Sequence, residues 1–252
     1  ATEKLLLATA LALSLMVVTF PRFDCQDLGS LKNITGRNLD GSQSLGDAPH
    51  YINYVEYFRD RLPIDRTPLP FRYRPFVPFL ASLLPVSRPM TAINVVNLFS
   101  LYVALIFLLR LLRTLEFSFR WAALGGMMYT VSFPMLYFGT IGYVDSVALA
   151  VIVIGTYLVY IESWVLLALL MVVGAATKET CILLVPVAFG YLVARRDRYI
   201  LIPAVLAAVF AATTIVIRSA VATGRGYYWT PGVDIFMSNI RFRTVASLLL
   251  TL

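Results

Sequence analysis

The feature that most constrains this chain is a succession of apolar blocks, each near the length a helix needs to cross a bilayer, parted by short polar breaks. They fall at about 91–112, 121–138, 145–161, 164–177, 181–194 and 199–217, with breaks at 113–120, 139–144, 162–163, 178–179 and 195–198. Another apolar run, Leu5 to Phe20, follows Lys4. A spanning helix takes about 20 predominantly apolar residues, so the pattern predicts about seven spans. Composition agrees: 59% of residues are hydrophobic and 14% charged, against roughly 45–50% and about 25% in soluble domains. That excess must face something apolar, because a chain of this size keeps much of its surface exposed. The expected fold is therefore all-α, a polytopic transmembrane helical bundle forming one domain over 1–252.

The run Leu5 to Phe20 is read as a retained first helix. A signal peptide would be followed by a small-x-small cleavage site, and Pro21-Arg22-Phe23 follows instead. Residues 21–88 then form a polar stretch too long for a turn. Within it Tyr51, Tyr54, Val55 and Phe58 recur at i, i+3, i+4 and i+7, one face of an amphipathic helix, expected on the membrane surface. Pro63, Pro68, Pro70, Pro75 and Pro78 break the part that follows into turns. A second polar segment covers 218–243, and the apolar run Val245 to Leu252 is too short to span.

The formal charge of +7 does not indicate nucleic acid, since the basic residues lie between apolar blocks rather than along an aromatic-studded face. They set orientation instead. With a cytoplasmic N-terminus, Arg110, Arg113 and Arg120 and then Arg195, Arg196 and Arg198 all fall inside, as the positive-inside rule requires. The loop 21–88, the segments 139–145 and 178–179, and 218–243 then meet on the outer face. Cys25 and Cys181 lack metal-ligand spacing, and His50 is the one histidine, which excludes a histidine-based metal cluster. Asn33-Ile34-Thr35 is a glycosylation sequon of low specificity. No P-loop, GxGxxG, HExxH or GxSxG pattern occurs.

Several outer-face residues are candidates for chemistry, and each has a plainer reading. Asp47, in Gly46-Asp47-Ala48-Pro49-His50-Tyr51, is either a helix-capping acid or a general base at the membrane surface. Asp145, in Gly142-Tyr143-Val144-Asp145-Ser146, either caps the helix it opens or is functional, as ionisable groups within spans commonly are. Lys178 and Glu179 either cap a turn between antiparallel helices or place a cation against a lipid phosphate. Arg72 and Arg74, in Pro70-Phe71-Arg72-Tyr73-Arg74-Pro75, either contact headgroups generally or fork onto a phosphate.

In their order along the chain, these segments resemble the GT-C fold of multi-spanning glycosyltransferases that use polyprenyl- or dolichyl-phosphate sugars. The similarity covers about residues 1–200. It rests on the first-loop acid in 46–51, the stretch from Pro70 to Pro78 entering the second helix, the acid-initiated helix from Gly142 to Leu149, and Ala175-Ala176-Thr177-Lys178-Glu179-Thr180, like the Lys/Arg-Glu-Thr turn of such enzymes. The resemblance implies inverting sugar transfer on the extracytoplasmic side of a bacterial inner membrane. Asp47 would deprotonate the acceptor; Arg72, Arg74 and Lys178, with Glu179, His50 and Tyr51 beside them, would hold the lipid phosphate. Asp145 would orient the acceptor or help to hold a divalent metal ion.

Such enzymes often have nine or more spans, so a fragment or a shortened member is expected here. The alternative is a non-catalytic subunit of a larger membrane complex, with partner subunits, built on the same scaffold. A transporter is disfavoured by the lack of paired repeats and of mid-span charges.

Overall fold

A computed structural model describes residues 47–132, 142–196 and 199–221. The expected first helix 5–20, Cys25, the sequon at Asn33, the tail of the block 121–138, most of 218–243 and the run 245–252 lie outside the described residues. Among the described residues the chain is all-helical, without β-strand. The helices are α1 (Ala48–Phe58), α2 (Phe76–Ser82), α3 (Pro89–Thr114), α4 (Phe119–Thr130), α5 (Asp145–Tyr160), α6 (Trp164–Thr177), α7 (Leu184–Arg195) and α8 (Ile202–Val221). Single-turn 3₁₀ segments occur at Ile64–Arg66, Phe71–Tyr73 and Glu179–Leu183.

Local chemistry explains the boundaries. Pro49 and Pro89 sit in the first turns of α1 and α3, where the missing N–H costs nothing and the fixed φ favours a helix. The prolines between 63 and 75 leave room only for 3₁₀ turns between α1 and α2. The break at Lys178 is extended backbone (φ −164°, ψ 143°), so α6 stops and a 3₁₀ turn intervenes before α7. That turn is why α7 begins three residues later than the apolar block at 181–194.

The predicted face of α1 is present, but it meets protein. Tyr51, Tyr54 and Val55 are buried, and Tyr51 and Val55 pack with Phe71, Val77, Ile93 and Val147. The helix was expected to rest that face on lipid; the proline-broken segment folds back and covers it instead. Arg59, just past the C-terminal end of α1, locks this arrangement. Its guanidinium donates to the carbonyls of Val86 (2.7 Å), Ser87 (3.1 Å) and Ala81 (3.2 Å), tying α1 to the end of α2 and the approach to α3.

In the larger body, α3 and α5 run parallel, with the N-terminal part of α3 beside the start of α5 and the C-terminal parts together. α3 packs along α5, with Phe107 edge-on to Tyr157 (5.3 Å). A second core joins α5, α6, α7 and α8 through Val151, Leu167, Met171, Leu184 and Phe210. Gly155 permits the closest approach: a Cβ there would overlap the Leu184 side chain.

Two described helices, α3 with 26 residues and α8 with 20, are long and apolar enough to cross a membrane. The seven expected spans are not established. α5 and α6 hold 16 and 14 residues, about 24 and 21 Å at 1.5 Å per residue, short of the roughly 30 Å hydrocarbon layer. The outer surface is nonetheless apolar: only 11% of the apolar window of α8 is buried, and Val165, Leu201, Val131 and Phe99 stand exposed.

Replacing Arg59 with Ala removes a largely buried cation from four backbone carbonyls, those of Ala81, Leu84, Val86 and Ser87. The expected cost is about 2–3 kcal/mol, measured as unfolding of purified protein in mild detergent; unchanged stability would exclude the clamp.

Candidate functional site

The charged residues of four separate segments meet at one end of the helices. α1 supplies His50 and Tyr51 from its first turn, with Asp47 just before it. The turn Phe71–Tyr73 leads into Arg74, α5 opens with Asp145, and the α6–α7 break provides Lys178 and Glu179.

Two ion pairs organise the cluster. Lys178 Nζ donates to Asp145 Oδ1, binding the start of α5 to the α6–α7 turn. Arg74 donates through Nη2 (3.0 Å) and Nε (3.2 Å) to Glu179 Oε2. Its Nη1 donates to the Tyr51 hydroxyl at 2.8 Å. Side-chain exposures of 23% and 26% for Lys178 and Asp145, and 15% and 40% for Arg74 and Glu179, place the pairs between solvent and core. There the attraction is less screened than on an open surface.

Asp47 and Asp145 stand as neighbours of this network. Burial pushes the Tyr51 hydroxyl upward, Arg74 partly opposes it, and the two carboxylates add a smaller upward push. Tyr51 therefore remains a neutral phenol at pH 7. Gly142 brings the strand of chain before α5 against α1. Its φ is +76°, a conformation other residues rarely adopt, and a Cβ there would lie 2.7 Å from Met90 Sδ and 3.5 Å from Ala48 Cβ. Asn97 fixes the next residue by donating to the Tyr143 carbonyl at 2.8 Å.

Both acids stand at helix starts, as the capping readings expect, but neither makes a side-chain cap hydrogen bond. Asp47 holds the N-cap position, yet its carboxylate makes no cap hydrogen bond. Asp145 is the first residue of its helix rather than the cap, and it is engaged by Lys178. Arg74 is held as a cation: burial works against its charge, but Tyr51 and Glu179 outweigh that and raise its pKa.

Arg72 stands apart. It is 1% exposed, its Nε donates to the Thr67 carbonyl, and Tyr54 donates to its own carbonyl at 3.1 Å. It braces the turn from within. His50 stacks on Phe71 at 4.4 Å, joining α1 to the same turn. Sequence reasoning missed Arg218, at the end of α8, whose guanidinium lies 5.0 Å from the Tyr73 ring. The signal was a lone arginine closing an apolar block opposite an aromatic-rich loop.

In sum of charge the cluster holds two cations, Arg74 and Lys178, and three carboxylates, Asp47, Asp145 and Glu179. Among the described residues no three His, Cys, Asp or Glu side chains gather in a metal-binding group. With Asp145 already bound to Lys178, the residues present do not fit a divalent cation.

No family model, no curated protein and no solved structure matches the chain.

Burial lowers the pKa of His50 below 6.5, and Asp47 only partly offsets it. A depressed folded-state pKa means that the unfolded chain binds the proton more readily. The resulting stability is complete above about pH 6.5 and is lost as pH falls through the folded-state value. Unfolding curves recorded between about pH 7 and pH 5 should show this loss in the native protein and a shallower one in His50→Phe. Identical slopes would remove His50 as its source.

Proposed function

We propose that this chain is a multi-pass membrane protein of glycosyltransferase type, acting on a polyprenyl-phosphate-linked sugar at the extracytoplasmic face of a bacterial inner membrane. The bundle reading draws support from the apolar exterior and from the alternation of helix ends. The cluster around Arg74 and Lys178 lies at one end and the arginines of 110–120 and 195–196 at the other, in keeping with a cytoplasmic N-terminus.

The observation that carries the transferase reading is Asp47. Its carboxylate has no cap bond, and it lies close enough to His50 and Tyr51 to act on both electrostatically. A carboxylate not consumed by capping its helix, next to Tyr51 of this network, suits a general base. In the proposed reaction the acceptor hydroxyl oxygen forms a bond to the anomeric carbon, and its proton passes to Asp47. The bond from that carbon to the lipid phosphate oxygen breaks, and the phosphate leaves with the electron pair. Lys178 and Arg74 are the cations available to stabilise the leaving charge, and Asp145 would hold Lys178 in place. A tethered polyprenyl donor also gives a physical reason for the reaction to occur at the membrane.

A second reading is favoured by one specific feature. Each of the two cations is already matched by a carboxylate, which is what a structural joint in a non-catalytic subunit of a membrane complex requires. Sugar transfer assayed with purified protein and a polyprenyl-phosphate sugar separates the two. The transferase reading expects Asp47→Asn to lose about 10²-fold or more of turnover while unfolding as the native protein does. Turnover unaffected by that substitution would remove Asp47 as the base. Absence of turnover in the native protein, together with stable partner subunits, would favour the structural joint.

A further inference from the structure

The end of the molecule opposite the ion-pair cluster has a different electrostatic design. Phe107 meets Tyr157 edge-on, so the C-terminal part of α3 lies beside the C-terminal part of α5. Tyr191 on α7 donates to Glu162 at 3.1 Å. The ends of α3, α5 and α7 and the start of α4 therefore share one level. Among the described residues this level carries five arginines, at 110, 113, 120, 195 and 196, against two acids, Glu116 and Glu162. One ion pair forms there, between Arg195 and Glu162. At the other end Arg74 and Lys178 are each paired with a carboxylate; here the arginines outnumber the acids and are exposed.

The guanidiniums are also held in place. Arg110 lies over the Phe107 ring at 5.5 Å, and Arg195 over Tyr191 at 5.4 Å. Arg113 Nη1 donates to the Phe117 carbonyl at 2.6 Å. Such stacking positions the planar group while leaving N–H edges for an acceptor. Around them stand exposed Phe117, Phe119, Trp121, Tyr160 and Tyr199, the aromatic class that settles at the headgroup level of a bilayer.

We infer that this arginine-rich, aromatic-rimmed end is a binding surface for anionic phospholipid headgroups, selecting them over zwitterionic ones. The inference rests on the membrane reading proposed above but not on sugar transfer. Clusters of basic residues beside membrane helices attract anionic lipid by about 1 kcal/mol each, roughly a fivefold factor per arginine. Lipid headgroups are the favoured source of anion over free phosphate, because the arginines are spread along a rim with aromatic side chains between them rather than folded into one pocket.

Trp121 adjoins Arg120 and is exposed, so it reports on the lipid next to the patch. With Trp164→Phe and Trp229→Phe it becomes the sole tryptophan. This protein is reconstituted into phosphatidylcholine vesicles containing brominated phosphatidylglycerol or brominated phosphatidylcholine, and quenching is compared at equal mole fraction. The expected result is stronger quenching by phosphatidylglycerol, a preference that falls as salt is raised. Arg110→Gln, Arg113→Gln and Arg120→Gln together should bring the two lipids to parity, whereas the corresponding lysine substitutions should keep the preference. Sodium phosphate and sodium chloride at equal ionic strength should reduce it equally; a much larger effect of phosphate would indicate a discrete phosphate pocket and overturn the lipid surface. Equal quenching by both lipids overturns the inference while leaving the membrane reading intact. Quenching by neither would overturn the membrane reading itself.

Discussion

Two adjacent side chains of opposite charge, Lys178 and Glu179, hold the architecture of the charged end together. They stand where an apolar helix stops, and each reaches a different part of the chain: Lys178 to Asp145 at the head of α5, Glu179 to Arg74 in the proline-broken loop. Charges drawn partly out of water destabilise unless they are paired, and removing one partner of such a pair costs more than the pair contributes. The joint therefore works mainly as a constraint. The helices on either side can be almost wholly apolar, with little lateral specificity, because the level at which α5 and the α6–α7 turn meet is fixed by which charges must find each other.

From that joint the rest of the cluster follows by contact. Arg74 is tied to Tyr51, so α1 is drawn against the loop; His50 on Phe71 and Arg59 on the carbonyls after α2 secure the same segment from its two sides. Gly142 lets the approach to α5 pass close to Ala48, which sets Asp47 beside the network. Five charged groups from widely separated positions share one site because helix ends alternate and the loop before α3 folds back over them.

Much of this was legible in the residues themselves. The block 164–177 coincides with α6, Asp145 does open a helix, and Tyr51, Tyr54 and Val55 do form one buried face. These features are local: hydrophobic periodicity and breaks register in any window of sequence. What the face of α1 meets is not local. Its period is the same whether it rests on lipid or on Ile93 and Phe71. The same holds for Arg72 and Arg74, two residues apart in a symmetric-looking motif, of which one turns into its own loop and the other outward to Glu179. Helix length was overestimated at 181–194 because the 3₁₀ turn after Lys178 is made of residues as apolar as the helix that follows.

The most direct test of this account exchanges the charges of the central pair. Lys178→Asp and Asp145→Lys are made singly and together, and unfolding is followed in detergent. Each single variant places like charges in contact and should be markedly destabilised, while the double variant, which restores an opposite-charge pair across the same joint, should recover most of the lost stability. Losses in the two single variants that simply add in the double variant would mean that Lys178 and Asp145 do not meet, and the convergence of the four segments would fall with them.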